Sequence, residues 1–375
     1  MNKAFVESFG MLEDPRVERT KKHALLDIIA IAMIGIMAGA QSFEEIEDFG
    51  LMHEEWLKQY LQLGNGIPSH DTINRVCQSL KPESFQKAFL EWVQSIRTLL
   101  PEGVVAIDGK TLRGSHQRSR GLKGFHIVNV WSCVNGLVLG QMKVSDKSNE
   151  ITAIPELLKQ LMIEGAIVTI DAMGCQKEIA AEIKAQKADY VLAVKGNQGN
   201  MFESIKDCFK WVASSKNKHK IYEAIDEIGS EHGRIEERKL EVMSAEILKG
   251  LVEIEQWSGI KSIAKITCTR ESPYETSTET RFYISSLVPE SPVVILKAIR
   301  AHWSIENQLH WSLDVSFRED ACRVRDENTA LNLSWMRKMA LSFLKAETSF
   351  KASIRRKQLK LWSSPDYLLK LIPNI

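Results

Sequence analysis

Two stretches, Val104-Val105-Ala106-Ile107-Asp108-Gly109-Lys110 and Ile167-Val168-Thr169-Ile170-Asp171-Ala172-Met173-Gly174-Cys175, each run through a short apolar segment onto an aspartate. Four mostly β-branched residues bounded by turn formers read as a buried strand, so each aspartate sits where a sheet meets solvent. A third acid, Glu306, lies in His302-Trp303-Ser304-Ile305-Glu306-Asn307-Gln308-Leu309-His310-Trp311, which has neither Pro nor Gly nor strict alternation and reads as helix. Two strand-end aspartates and a helical glutamate suit a two-metal phosphoryl-transfer site, because a carboxylate can bridge two hard cations about 3.5 to 4 Å apart. Neighbouring carboxylates repel unless protonated or metal-bound, and Mg²⁺ fits an all-oxygen donor set that substrate phosphates complete, with Mn²⁺ able to substitute.

The same helix offers a competing metal reading. His302, Glu306, His310 and Asp314 recur every four residues and share one face, a stripe that could bind zinc or a di-iron centre. A carboxylate-bridged bundle needs a second matching helix, however, and none is evident.

The elements that must position these acids follow from the pattern around them. Up to about residue 100 the sequence is helical: a buried helix ending at Ala40, then Ser42 to Phe49, Met52 to Leu63, Ser69 to Leu80 and Pro82 to Leu99. Ser42 and Ser69 are placed as caps and Pro82 as a first-turn proline. This predicts an N-terminal helical domain over residues 1–100, a candidate for recognising DNA ends. From Val104 the pattern turns to strands. Phe125 to Val134 and Leu137 to Val144, joined at Asn135-Gly136, form a hairpin. A helix from Ile151 to Met162, the strand ending at Asp171, a helix from Gln176 to Gln186 and a strand from Tyr190 to Val194 follow. That order predicts an α/β ribonuclease-H-like core over residues 101–350, whose first and fourth strands are neighbours and bring Asp108 beside Asp171. A β-rich insertion at about 220–286 delays the helix of Glu306, which Pro292 can start. Residues 351–375 form a basic helical C-terminal tail, and no internal repeat or low-complexity segment is present.

Composition narrows the class. The 375 residues, 44% hydrophobic and 26% charged, are ordinary for a globular chain long enough for a large core. A formal charge of +1 argues mildly against nucleic acid, but basic residues cluster. Lys110 to Lys123 contains Lys110, Arg113, Arg118, Arg120 and Lys123 without an acid, and the C-terminal region carries Arg355, Arg356 and Lys357. Six cysteines without a Cys-x-x-Cys pair disfavour structural zinc and a disulfide framework, and fit a reducing cytoplasm. The apolar run from Ile28 to Ala40, about 13 residues against the roughly 20 needed to span, predicts a core helix and no membrane partner.

The motifs around the three acids, with Val194-Lys195-Gly196-Asn197-Gln198, Ser148-Asn149-Glu150, His232-Gly233-Arg234 and Gly66-Ile67-Pro68-Ser69-His70-Asp71-Thr72, closely resemble those of the H-repeat-associated, ISAs-type insertion-sequence transposases. The likeness runs over nearly the whole chain. It implies a transposase acting on double-stranded DNA at transposon ends and target, as a homodimer when ends are paired, with Asp108, Asp171 and Glu306 as its acidic triad. Lys195 becomes a candidate phosphate contact, and His302, His310 and Asp314 candidates to support the triad. Lys110, Arg113, Arg234, Arg300, Arg355, Arg356 and Lys357 are candidate DNA contacts. Related cut-and-paste transposases carry a tyrosine and an arginine before the glutamate and a lysine after it. Here Ile299, His302 and Leu313 take those places, and Arg300 is the candidate substitute for the arginine. A nuclease without strand transfer and a catalytically silent DNA-binding remnant stay open as alternatives.

Overall fold

The computed structural model describes residues 3–96, 103–116, 121, 123–145, 149–214, 220–228, 235–271 and 275–371. Six helices come first: α1 Lys3–Phe9, α2 Leu25–Ala38, α3 Phe43–Met52, α4 Glu54–Leu57, α5 His70–Ser79 and α6 Pro82–Ile96. The expected caps are present, with Ser42 Oγ accepting from the Glu45 N–H at 3.2 Å and Ser69 Oγ from the Thr72 N–H at 3.4 Å. The helix expected over Met52 to Leu63 is cut short. His53 leaves helical geometry with φ −116° and ψ 22°, and only Glu54–Leu57 is helical beyond it. There the His53 ring engages the Trp362 carbonyl at 2.8 Å, a partner far away in sequence. α2 is buried along almost its whole length. Among the described residues no single helix is long and apolar enough to cross a membrane.

The strands are β1 Gly103–Thr111, β2 His126–Ser132, β3 Leu137–Lys143, β4 Ala166–Ile170 and β5 Asp189–Val194, with α7 Glu150–Leu158 and α8 Lys177–Ala185 flanking β4. The Asn135-Gly136 turn closes the β2–β3 hairpin with Gly136 at φ +61°, a conformation glycine adopts without a Cβ penalty. Next come α9 Gly199–Ser214, an addition to the expected elements, and the strands β6 Tyr222–Ile228, β7 Ile235–Ser244, β8 Ser262–Glu271 and β9 Thr276–Ser285. All nine strands form one sheet in the order β3-β2-β1-β4-β5-β9-β8-β7-β6. β1 runs antiparallel to β2 and parallel to β4, and β4 runs parallel to β5, which is the expected ribonuclease-H-like arrangement. The β-rich insertion is not a separate sheet: β9 pairs with β5 and extends the central sheet by four antiparallel strands.

After the sheet come α10 Pro292–Ser304, a π-helical turn at Ile305–His310, α11 Trp311–Phe317, α12 Glu327–Ala346, α13 Ile354–Ser363 and α14 Leu368–Leu371. Strand alternation assigns the two sheet faces. Val105 and Ile107 of β1, Val168 and Ile170 of β4, and Tyr190 and Leu192 of β5 share a core with α7, α8 and α9. Ile167 and Val191 pack with α10 on the opposite face, while Ala106 packs with Ile305, Leu309 and Leu313. The N-terminal helices close no core of their own. Phe9, Ile31, Phe49, Phe85 and Trp92 lie in one cluster with Trp335 and Phe343 of α12 and Leu361 of α13. The sequence changes from helices to strands near residue 100, the helices before it share a buried cluster with α12 and α13, and α13 of the C-terminal tail is docked on α2.

Candidate active site

Ile107 and Ile170 form the last paired position between β1 and β4, so Asp108 and Asp171 are the next residues along two parallel neighbours. Both share parity with the residues facing α10 and the π-turn, as does Lys195 just past β5. The carboxyls of Asp108, Asp171 and Glu306 line one cleft of about 290 Å³, with Lys195 and His302 beside them. Three segments far apart in sequence thus meet at the ends of two adjacent parallel strands.

The carboxyls differ in their partners. Asp171 Oδ1 accepts the backbone N–H of Met173 at 3.0 Å and of Gly174 at 3.4 Å, fixing it at the head of a short 3₁₀ turn. Asp108 Oδ2 lies 3.5 Å from His310 Nδ1. Burial, with the Lys110 and Lys338 charges, pushes His310 down to about 3, so this ring is neutral and brings no countercharge. Burial first, then the neighbouring Asp171, Glu150 and Glu306 carboxylates, push Asp108 up to about 7. Glu306 is exposed, and its side chain has no hydrogen bond or ion pair among the described residues. No Lys or Arg among the described residues is ion-paired with these three carboxyls, although Lys195 and Arg281 line the same cleft. Among the described residues no three His, Cys, Asp or Glu side chains are close enough together to hold an ion unaided. Three carboxylates around a cleft fit a hard cation that keeps its waters and takes further oxygens from a substrate phosphate.

The His302, Glu306, His310, Asp314 stripe resolves into docking contacts. His302 Nδ1 meets Thr169 Oγ1 of β4 at 3.1 Å. His310 meets Asp108 of β1 and, at 3.4 Å, Asn129 of β2. Asp314 forms an ion pair with Lys110 of β1. Every member except Glu306 is engaged with the sheet. Lys345 of α12 donates to the Gln308 carbonyl at 2.6 Å, inside the π-turn.

The basic candidates fall into three groups. Lys110 is 8% exposed and paired with Asp314 and Glu319, so it faces the interior and not DNA. Lys357 is likewise buried, donating to the Leu344 carbonyl at 2.7 Å and to the Glu347 carbonyl. Their alkyl stems lie in packed interfaces where only fixed acceptors satisfy the ammonium. Arg300 is paired with Asp226, and Arg113 with Asp320 at 3.4 Å. Lys195, Arg355 and Arg356 are exposed. Arg234, Arg118 and Arg120 lie outside the described residues.

The sequence places Glu150 only within the Ser148-Asn149-Glu150 motif and gives it no role at the site. Its Oε1 lies 2.5 Å from His126 Nε2, and a Cβ at position 109 would collide with both groups. Gly109 thus admits a fourth carboxylate close to Asp108. A glutamate just after an Asn cap reads locally as a complement to the helix dipole, which hides this role. A second groove, of about 510 Å³, opens beside the cleft and shares Arg281, Trp303 and Glu306 with it, and the Arg281 guanidinium stacks 4.7 Å from the Trp303 ring centre.

This strand order, with an acidic cleft at the ends of its parallel strands, defines a ribonuclease-H-like nucleic-acid enzyme fold. The chain belongs to the DDE transposases of the H repeat-associated family: a family model described as "Transposase DDE domain" matches residues 100–343, and one described as "DDE_Tnp_1-associated" matches residues 6–93. It is 39% identical over 377 residues to the H repeat-associated protein YhhI of Escherichia coli (strain K12), covering 99% of this chain and 98% of that one. YncI of Escherichia coli O157:H7 is 40% identical over 375 residues, covering 99% of this chain and 95% of that one. A piggyBac transposase synaptic complex with hairpin DNA aligns at a TM-score of 0.45 and 12% identity, over 99% of this chain and 77% of that chain.

Proposed function

We propose that this protein is an insertion-sequence transposase that cuts double-stranded DNA at the ends of its element and joins the freed 3′-hydroxyl to a target phosphodiester, with Asp108, Asp171 and Glu306 as its acidic triad. The observation that carries this reading is the convergence of three carboxyls on one cleft with no Lys or Arg at ion-pair distance from any of them among the described residues. These three residues would hold Mg²⁺, or Mn²⁺ in its place. When bound, such a cation lowers the pKa of water and offsets charge on the scissile phosphate.

The chain's own groups do the rest. Asp171 lines the cleft with Oδ1 tied to two backbone N–H groups, which fixes its carboxyl. Glu306, its side chain free of partners on a helix docked before and after it, is available as the third acid of the triad. The exposed Lys195 ammonium at the rim supplies a phosphate contact. Arg355 and Arg356 add sequence-independent phosphate contacts on the C-terminal helix. Two copies act together when two ends are paired.

The test is an assay with purified protein, Mg²⁺, DNA carrying the inverted repeats that flank its own locus, and a separate target plasmid. Element-end cleavage with joined product supports the proposal. Cleavage without joining leaves a nuclease, and binding without cleavage leaves a silent remnant.

A further inference from the structure

Lys110 follows Asp108 by two residues on β1, so both side chains leave the same face of the strand, toward the helix that carries Glu306. There the Lys110 ammonium forms an ion pair with Asp314, eight positions beyond Glu306 in the sequence, and a second with Glu319 at 3.1 Å. Glu319 is 1% exposed and accepts the Ser334 hydroxyl of α12 at 2.8 Å. Burial alone would raise its carboxyl, but the Lys110, Lys338 and Arg337 charges overcome this and hold it down to about 2. Among the described residues no other cation comes within ion-pair distance of Glu319.

Such a cluster is a poor way to gain stability, because apolar side chains of similar volume usually serve as well or better; fixing a register is the better-attested use of buried charge. A register does need fixing here. Glu306 lies in a π-turn, which holds more residues per turn than an α-helix, and Asp314 lies beyond it. If that segment relaxed to regular α-winding, Glu306 and Asp314 would rotate relative to each other by about 100°. Asp314 can then meet Lys110, or Glu306 can face Asp108, but not both. On the upstream side His302 is already bonded to Thr169, two residues before Asp171.

We infer that Lys110 is a positioning residue: with Asp314 and Glu319 it locks the π-register of the Glu306 helix against the Asp108 strand and so holds Glu306 toward the cleft. This rests on the reading of Asp108 and Glu306 as members of the triad.

The test uses the full chain with Lys110→Met, the pair Lys110→Met/Glu319→Met, and Asp108→Asn as a control. Four quantities are read: thermal unfolding, affinity for element-end DNA, Mn²⁺ affinity by calorimetry, and single-turnover cleavage at saturating DNA. Lys110→Met strands the Glu319 carboxylate and should unfold at lower temperature. The double variant removes that stranded charge, while the part-exposed Asp314 remains solvated, so its unfolding temperature and DNA affinity should return toward wild type. Its cleavage should nevertheless stay about 100-fold down, the scale of a small misplacement at a reacting centre. Its Mn²⁺ affinity should be weaker by about tenfold. A stable double variant that cleaves at the wild-type rate with wild-type Mn²⁺ affinity would overturn the inference while leaving the triad intact, provided Asp108→Asn is inactive. An active Asp108→Asn would remove the triad reading, and this inference with it.

Discussion

Two charge clusters are built from the same pair of elements, β1 and the Glu306 helix, and they are solved in opposite ways. Around Lys110 one buried cation is set against two acids, Asp314 and Glu319, and Glu319 is held down to about 2 by the Lys110, Lys338 and Arg337 charges despite its burial. Two residues back on the strand, Asp108 is pushed up to about 7 by burial and by Asp171, Glu150 and Glu306, and the nearest ring, His310, is neutral. A fold that sets Lys110 against two acids at one site, and leaves Asp108 without an ion-paired Lys or Arg at the next, is not short of cations: Lys338, buried and pushed down to about 7 by that burial, donates only to Gln141 among the described residues. The unmatched cluster is the place where the proposed cation would supply the missing charge.

Removing that unmatched charge should have the largest effect on activity and the most unusual effect on stability. Asp108→Asn, Asp171→Asn and Glu306→Gln should each lower cleavage by a factor of a thousand or more, roughly 4 kcal/mol of transition-state stabilisation. Without metal, Asp108→Asn should unfold at or above the wild-type temperature, because it relieves repulsion without opening a cavity. Gel assays on element-end DNA and thermal unfolding check the two halves. A variant that cleaves normally is not in the triad, and an Asp108→Asn that is markedly less stable would erase the contrast between the clusters.

The unmatched cluster was largely legible in the sequence and the matched one was not. Asp108 and Asp171 announce themselves because each ends a β-branched run, and strand order makes those runs neighbours. Glu306 is recognisable within its motif. Lys110, by contrast, looks like part of a solvated basic run, since its partners lie more than 200 positions away at Asp314 and Glu319. Lys357 misleads for the same reason: local composition cannot say which face of an amphipathic helix is covered by another segment. The shared core of the N-terminal helices with α12 and the one-sheet insertion are also products of long-range packing. α9 was readable, with Met201, Ile205, Cys208, Phe209 and Val212 buried at helical spacing, but its Gly199-Asn200 start gives no capping signal. The π-turn leaves no mark that a helical pattern would distinguish.

Breaking the matched cluster should damage stability first. Glu319→Gln leaves Lys110 short of a buried counterion and should cost about 3 to 5 kcal/mol, the usual price of half a buried pair. Urea unfolding followed by circular dichroism measures it. A loss no larger than that of a surface substitution would mean the cluster is not held together as described.

The third expectation separates the clusters by pH. Asp108 has its folded pKa raised above the ordinary aspartate value, so the folded state holds the extra proton between about pH 4 and 7. Stability from that group is full below this window and lost as pH rises through about 7. Metal-free protein should therefore lose a few degrees of unfolding temperature between pH 5 and 8, a moderate shift for a chain of this size. Mg²⁺ should restore more of it at pH 8 than at pH 5, and Asp108→Asn should flatten both trends. Differential scanning calorimetry at the two pH values, with and without Mg²⁺, is the measurement. Equal Mg²⁺ stabilisation at both would argue against a cation that competes with the Asp108 proton.

The smallest effect carries the same contrast to the C-terminal helix, where neighbouring cations again differ in whether they are already matched. Arg355 and Arg356 are exposed, with Arg356 lying over the Phe350 ring, whereas Lys357 is buried and bonded to the Leu344 and Glu347 carbonyls. Only a cation with free solvent-facing charge can release counterions from DNA, and each phosphate contact contributes about 0.9 to the slope of log affinity against log salt. Arg355→Gln/Arg356→Gln should therefore flatten that slope by up to roughly 1.8 and weaken binding to element-end and random duplexes alike. Lys357→Met should leave the slope unchanged and lower the unfolding temperature, since it strands two carbonyls in the interior. Fluorescence anisotropy across a salt series resolves both. A Lys357→Met variant that changes the slope while remaining fully stable would show that the buried ammonium reaches DNA, and the division between matched and free charge would fail at this helix.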